Sequence, residues 1–457
     1  MSQEKRRTQS AADRKEHILA DRAYWNEEIE TLPRRELEAL QRDRLAAHLQ
    51  LAYAKSPYYR AAFDAAAVKP EDLLTLADLR KFPFTNKQIE RERQVAAPLL
   101  GDMIAVTEEE VVFVSASSGS TGVPTVSPFT AEDFDTWQDI EARLFWMTGI
   151  RPSDRYVHAL NFTLFVGGPD VIGAQRLGAL CIWAGTIPSD RLLYIMKAFR
   201  PTVTWTTPSY AWHLGETAKA EGIDPARDLA IRRIIVAGEP GGSIPGTRKA
   251  IEELWGAELF DFYGISDIYG ACAGQCSRHD GLHLVEDQIL LEVLDPSTGQ
   301  PVPDGSQGEM VLTTLQKRAR PMIRFRTGDI ITADRSPCAC GRTHVRITVV
   351  GRLDDMFIVS GVNVFPSDVE FVIRQIPALT GEYRIRLYDE DHLTRFDLEI
   401  EVEDGAGSAE SLVETVSNAI KSRLGLRPKR VTLVANGTLP RTTHKAKRVV
   451  DERQSAT

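Results

Sequence analysis

The sequence predicts an α/β protein with a large N-terminal domain and a small α+β domain behind it. Three observations carry that reading. From about residue 130 to 260, short apolar runs alternate with longer amphipathic stretches, the pattern of a mostly parallel sheet covered by helices. From 285 to 332 the period drops to two, broken by turn signals at Asp295-Pro296-Ser297-Thr298-Gly299 and Pro303-Asp304-Gly305, which reads as an antiparallel meander. At Gly351 the chain restarts with a compact mixture of strand-like and helix-like runs. The expected division is 1–350, a hinge at 351–355, and 356–457, the last being a plausible size for an independent unit.

Taken in order, residues 1–20 are polar and predict a frayed end. From Tyr24 to about Ala67 the pattern is helical, with Leu37, Leu40, Leu45, Leu49 and Leu51 at roughly helical intervals among Glu and Arg. Ser56-Pro57-Tyr58-Tyr59 reads as a helix stop and restart, with Pro57 at the first helical position. Tyr156–Leu160, Cys181–Trp183, Val203–Thr206 and Ile234–Ala237 read as buried strands, and Asp190–Phe199 and Tyr210–Glu221 as helices between them. In the last hundred residues Val362–Phe365, Tyr383–Asp389, Phe396–Val402 and Val431–Val434 are strand-like, and Ser367–Ile376 and Ser408–Leu424 helix-like.

Composition narrows the class of function. The 457 residues are 43% hydrophobic and 26% charged, ordinary values for a packed globular protein. A net charge of −9 argues against nucleic acid as a partner. No apolar run reaches about 18 residues, so no membrane span is expected. Met1 to His17 is charged and lacks the apolar core of a secretory leader. With only five cysteines, an odd number, the expectation is a reducing cytoplasm and no disulfide framework.

Five stretches carry chemistry. After the strand-like Val111–Val114 comes a loop of hydroxyls and glycines, Ser117, Ser118, Gly119, Ser120, Thr121 and Gly122. Its backbone N–H groups and hydroxyls suit an anion, although no Gly-Lys-Ser/Thr follows as in a Walker loop. Asp261-Phe262-Tyr263-Gly264-Ile265-Ser266-Asp267 packs an aromatic that can stack on a purine, a hydroxyl for a phosphate and a carboxylate for magnesium into one turn. Arg324-Phe325-Arg326-Thr327-Gly328-Asp329 ends in a carboxylate able to accept both hydroxyls of a ribose. Gly351-Arg352-Leu353-Asp354-Asp355 lies at the expected boundary, where a few residues can absorb a domain rotation. Leu439-Pro440-Arg441-Thr442-Thr443-His444-Lys445 could bring an ammonium to a polyphosphate leaving group. Alone, each has an ordinary reading: a flexible loop, a strand-end turn, a type I turn, a charged linker, a solvated basic tail.

In this order and spacing the five resemble the acyl-adenylate-forming superfamily. Tyr24-Trp25-Asn26, Glu30-Thr31-Leu32-Pro33, Ser56-Pro57-Tyr58-Tyr59 and Gly361-Val362-Asn363-Val364-Phe365-Pro366 resemble its phenylacetate–CoA ligase branch, over roughly 23–452. The resemblance implies an adenylate-forming domain with a mobile C-terminal domain. It also implies two half-reactions: a carboxylate attacks ATP·Mg2+ to give an acyl-adenylate, then coenzyme A displaces AMP. Lys445 would bridge the carboxylate and the α-phosphate, and Asp267 would ligand magnesium. Asp329 would hold the ribose with Arg352 nearby, Ala237-Gly238-Glu239-Pro240 would line the adenine with Tyr263 stacking, and Asp354 would sit at the hinge. Three positions depart from the family pattern: Asp267 replaces glutamate, Val123 the loop lysine, and His444 the glycine before the catalytic lysine.

Two further sets complete the expectations. Cys276-x2-His279 and Cys338-x-Cys340 offer a Cys3His set for structural zinc, with His283 and Cys272 competing for one place. The acid pocket is expected among Trp137, Asn161, Phe162, Phe165, Gly167, Gly168, Tyr210, Gly241 and Ile265, whose aromatics suit a flat ring. The leading reading is an aryl carboxylate–CoA ligase. Three others stay open: transfer of the acyl group to a carrier protein or an amine, nitrite activation to diazotise an aryl amine, and a degenerate nucleotide-binding protein. A homodimer is possible.

Overall fold

In the computed structural model the described residues are 22–97, 99–116, 124–160, 167–353, 356–359, 362–390, 393–406, 408–440 and 448–453. Helix α1 (Arg34–Lys55) buries Leu37, Gln41, Leu45, His48, Leu49 and Ala52 on one stripe. Two polar residues thus replace Leu40 and Leu51 of the expected stripe, and both are satisfied. Gln41 donates to Glu286 O at 2.8 Å and His48 Nε2 meets Thr314 Oγ1 at 3.0 Å. Ser56 caps α2 (Pro57–Ala65), accepting from Tyr59 N, with Pro57 in its first turn. Helix α3 (Lys87–Ala96) follows, capped by Asn86.

A hairpin of β1 (Val111–Ala116) and β2 (Val126–Thr130) flanks the Ser/Gly loop. A capping box at Thr130 and Asp133 starts α4 (Ala131–Met147), most of which is buried. Then strands and helices alternate: β3 (Arg155–His158), α5 (Asp170–Leu177), β4 (Leu180–Trp183), α6 (Ser189–Phe199), β5 (Val203–Thr206), α7 (Pro208–Ala220), β6 (Arg233–Val236), α8 (Pro245–Trp255) and β7 (Glu258–Ile265). The chain continues through β8 (Tyr269–Gln275), β9 (Leu282–Leu284), β10 (Ile289–Leu294), β11 (Gly308–Thr314), β12 (Phe325–Asp334) and β13 (Arg346–Arg352).

All of β3–β13 form one sheet in the order β10-β11-β12-β13-β9-β8-β7-β6-β5-β3-β4. Strands β4, β3, β5, β6 and β7 are parallel, and every pair from β7 to β10 is antiparallel. The parallel region and the meander are therefore two halves of one sheet, joined at β7. One core, around Phe129, Trp137, Phe145 and Tyr269, packs under α4 and the N-terminal helices. A second, around Leu193, Leu214, Ile251 and Leu259, packs under α6, α7 and α8.

After a short ribbon of β14 (Phe357–Val359) and β15 (Val362–Val364), α9 (Pro366–Ile373) and α10 (Ala409–Leu424) pack on a second sheet. That sheet has the order β18-β17-β16-β19, from β16 (Leu379–Glu390), β17 (Leu393–Val402), β18 (Arg430–Val434) and β19 (Val449–Asp451). Its separate core contains Val369, Ile385, Leu398, Val416 and Ile420. The expected hinge residues Asp354 and Asp355 lie outside the described residues. Among the described residues no helix is long and apolar enough to cross a membrane.

A half-buried and a buried ion pair tie α1 and α4 to the antiparallel half. Arg34 forks onto Glu286 through two 2.8 Å bonds, and Arg143 reaches Asp287 at 2.6 and 3.2 Å. Burial works to raise the Asp287 carboxyl, but Arg143, His344 and Arg44 outweigh it and hold the carboxyl well below its usual range. Arg143→Met strands that carboxylate, and the expected loss is about 3 kcal/mol by urea unfolding at neutral pH. Adding Asp287→Asn should recover part of it.

Candidate active site

Ligands in open α/β sheets bind beyond the carboxyl ends of the parallel strands. In this sheet those ends carry His158, Ala237 to Pro240, and Tyr263 to Ile265. At the end of β6, Gly238 has φ +90° and Gly241 φ +139°; a Cβ on Gly241 would lie 2.8 Å from Pro208. That path lets Glu239 Oε1 accept the Ser209 N–H at 2.7 Å, capping α7. At the end of β7, Tyr263 and Asp329 come together. The tyrosine hydroxyl donates to Asp329 Oδ2, and Arg352 Nη1 lies 3.1 Å from Oδ1. Asp329 is shaped by its own turn, where Gly328 has φ +75° and Thr327 Oγ1 accepts the Asp329 N–H at 3.0 Å.

The structure thus joins Tyr263, Asp329 and Arg352 from three stretches. Arg324 and Arg326, in the same motif as Asp329, have structural partners instead: Arg324 pairs with Glu292 and Arg326 with Glu309. Asp261 accepts from Ser243 Oγ at 2.5 Å, and burial pushes its carboxyl up to about 7. Phe262 is core, packed on Trp205 and Phe145. Gly264 is pressed on its neighbour strand, since a Cβ there would lie 2.5 Å from Gly270 O. Ser266 is half-buried beside it.

Asp267 is buried, and the same carboxylate oxygen lies 2.6 Å from Lys87 Nζ and 3.6 Å from Arg320 Nη2. A divalent cation at that oxygen would face two like charges within a few ångströms. Magnesium ligation by Asp267 does not fit this arrangement. Lys317 was not singled out in the sequence, yet it is fully buried here. Its Nζ donates to Ser127 Oγ at 2.6 Å and to Asp267 O at 3.0 Å, and burial lowers it to about 7. A lysine in a turn-rich polar run reads as solvated, so no local signal could have found it.

Ser117 to Gly122, Asn161, Phe162, Phe165 and Lys445 lie outside the described residues. Of the other pocket candidates, Trp137 and Ile265 belong to the first core with Tyr263, whereas Tyr210 packs on the second and bonds Ser189 Oγ at 3.2 Å. Gly167 is half-buried and Gly168 buried, just before α5. There Trp137 Nε1 donates to Glu141 Oε1 at 3.0 Å, as does Ala271 N at 2.8 Å. Asp170 stands next to Glu141 and Trp137, so close to Gly270 that a Cβ would meet its Oδ1 at 2.6 Å. Neither acid stood out in the sequence, because one lies inside an amphipathic helix and the other at a helix start.

Three of the four expected zinc ligands converge. Cys276, Cys338 and Cys340 place their sulfurs with a nitrogen of His283 so that all four atoms lie within 4.8 Å of one another. The fourth member is His283, not His279. His279 turns away in a left-handed conformation (φ +53°), and its Nε2 meets Glu258 Oε1 at 3.0 Å over the Phe260 ring. Strand β9 folds back on β8, setting His283 opposite Gly274, and this pairing brings the later histidine to the cysteines. Cys272, the other competitor, is a core residue.

The Glu141–Asp170 pair makes stability depend on pH. Burial raises both carboxyls, Asp170 to about 7, whereas the unfolded chain titrates near about 4. The folded state holds a proton that the unfolded chain releases across that window, so stability falls as pH rises through it. Glu141→Gln should flatten that slope: between pH 5 and 8 it should lose at least about 1 kcal/mol less than the parent by urea unfolding.

Residues 31–316 match the AMP-binding enzyme family, and residues 361–453 match the AMP-binding enzyme C-terminal domain. A phenylacetate–coenzyme A ligase of Thermus thermophilus is 36% identical over 452 residues, covering 94% of this chain and 100% of the relative. That of Escherichia coli is 36% identical over 433 residues, covering 93% and 97%. Among solved structures, a 2-hydroxyisobutyryl-CoA ligase in the postadenylation state with 2-HIB-AMP aligns with a TM-score of 0.90 at 33% identity, covering 95% of this chain and 93% of that one. The same ligase in the thioesterification state aligns at 0.72, with coverage of 95% and 94%. Similar along nearly its whole length, the chain belongs to the AMP-binding enzyme family, in its phenylacetate–CoA ligase branch.

Proposed function

We propose that the protein is an AMP-forming ligase that activates an aryl carboxylic acid, phenylacetate- or benzoate-like, as its acyl-adenylate and passes the acyl group to coenzyme A. The observation that carries the nucleotide half is the Tyr263–Asp329–Arg352 cluster at the carboxyl end of β7. A carboxylate held between a phenol and a guanidinium is rigid, and a pre-set carboxylate is the kind of acceptor that suits a ribose diol. The loop Ala237 to Pro240 lines the adenine side, and the Ser/Gly loop takes the phosphates. Adenylation then needs positioning and neutralisation of charge rather than a protein nucleophile. Lys445 has the role of steadying the incoming carboxylate against the α-phosphate.

The aryl preference is supported by relatives named phenylacetate–coenzyme A ligases and by aromatic packing around Trp137, where Phe129 stacks at 5.0 Å. CoA is the acceptor of this reading, not a carrier protein, and the cytoplasm its compartment. Magnesium enters as the counter-ion of ATP. Zinc, if bound, is structural: Cys276, His283, Cys338 and Cys340 leave no open position for a substrate. The donor chemistry fits, because three soft sulfurs converge with an imidazole whose other nitrogen lies 3.2 Å from the His344 carbonyl.

Two measurements test these readings. Pyrophosphate release across a panel of aryl acids should occur and yield a thioester when CoA is present. Release without thioester would favour transfer to another acceptor, and release only with nitrite and an aryl amine would favour diazotisation. Lys445→Ala should abolish release while leaving the protein folded. Elemental analysis should find close to one zinc per chain, falling below about half in His283→Asn and unchanged in His279→Asn.

A further inference from the structure

The Ser/Gly loop from 117 to 123 contains no lysine or arginine, so the positive charge facing a polyphosphate must come from elsewhere. The structure supplies a candidate around Asp267, where four segments meet. From α3 come Lys87 and Glu90, whose groups lie 3.3 Å apart. From the chain after β11 come Lys317 and Arg320. Arg320 Nη2 reaches Glu90 Oε1 at 2.8 Å, while its Nη1 donates to Val126 O at 2.5 Å, at the start of β2 just past the loop. Lys317 holds the neighbouring Ser127 hydroxyl and the Asp267 carbonyl. Lys87 and Arg320 thus lie against the carboxylates of Glu90 and Asp267, while Lys317 backs the turn through the Asp267 carbonyl. The side chains of Glu90, Asp267 and Arg320 are 0%, 5% and 3% exposed, and that of Lys87 is 29% exposed. It is the member of the group that reaches solvent.

We propose that the Glu90–Arg320 pair holds the Asp267 carboxylate back against the large domain, so that this turn offers a polyphosphate the Lys87 ammonium in place of a metal-binding oxygen. Arg320 is a positioning residue in this arrangement. It spans Glu90, Asp267 and the β2 backbone, and so fixes the nucleotide turn relative to β2. Its planar fork suits several acceptors at once, which an apolar side chain of equal length could not match. Glu90 keeps the guanidinium from moving outward. Burial first, and then the charge of Asp267, raise the Glu90 carboxyl to about 7. Burial also works to raise Asp267, but Lys87 and Arg320 outweigh it and keep that carboxyl below its usual value.

This assignment rests on the ATP-dependent reading above and deepens it. The two are separated by measuring ATP binding calorimetrically without any acid, with magnesium and with EDTA, alongside thermal midpoints. Asp267→Asn uncovers the ammonium, so ATP should bind at least twofold more tightly in both buffers. A magnesium ligand would behave in the opposite sense, weakening binding only when magnesium is present, and that result overturns the assignment. Arg320→Met should weaken ATP binding about tenfold, and Arg320→Lys, which keeps the charge but not the fork, should recover only part of it. Glu90→Gln with Arg320→Met removes both buried charges and should restore the thermal midpoint without restoring affinity. If the double variant recovers both, or Arg320→Met moves only the midpoint, the pair is merely structural and the assignment falls. A parent protein that binds no ATP at all overturns the nucleotide reading and this assignment with it.

Discussion

Strand β7 is parallel to its neighbour on one edge and antiparallel on the other, and the candidate site is built on that change of sense. A parallel partner sends the chain away through a helix, whereas an antiparallel one returns it through a tight turn. The turn from Ser266 to Ile268 therefore sits where the open crevice of the parallel half meets the first strand of the antiparallel half. From the parallel side come Ala237 to Pro240; from the antiparallel side come Asp329 and Arg352, two strands that would be remote if the halves were separate sheets. Register shifts on both sides of Gly264 mark the bend that the change demands.

The alternation of short apolar runs with amphipathic ones made the parallel half readable, because its inner strands are covered on both faces. The edge strand β4 departs from the expected burial: Leu180 and Trp183 at its ends are exposed, since among the described residues no further strand closes that edge. Tyr156, Val203 and Ile234 begin or continue buried strands where the periodicity put them. The union of the two halves was not readable. Nothing local to β9 or β13 says that they pair with each other across more than sixty residues, since pairing is decided by what each strand leaves uncovered. The same limit explains His279 and His283. A spacing of C-x2-H is a local pattern, but which imidazole meets the cysteines depends on where β9 lands beside β8.

Buried charge was the least legible feature. Arg143, Asp287, Glu141, Asp170, Glu90, Arg320 and Lys317 all lie at positions whose residue types normally face water. Each is held by a partner far away in sequence, so a linear reading sees only a polar residue on a helix or loop. By contrast Tyr263, Asp329 and Arg352 were grouped by the resemblance to the acyl-adenylate-forming superfamily, and the fold brings their side chains into contact although 66 residues separate the first two.

The placement of β13 has a consequence for how the chain assembles during synthesis. It is the last strand of the large sheet to leave the ribosome, yet it lies in the middle, between β12 and β9. Until residues 346–352 arrive, the meander has no seam joining it to the earlier strands, and β9 keeps one edge bare. The two halves can form locally, but closure must wait for the final insertion, a non-local step of the slow kind. A nascent chain stalled shortly before Arg346 would present two facing strand edges, with the aggregation hazard that such edges carry.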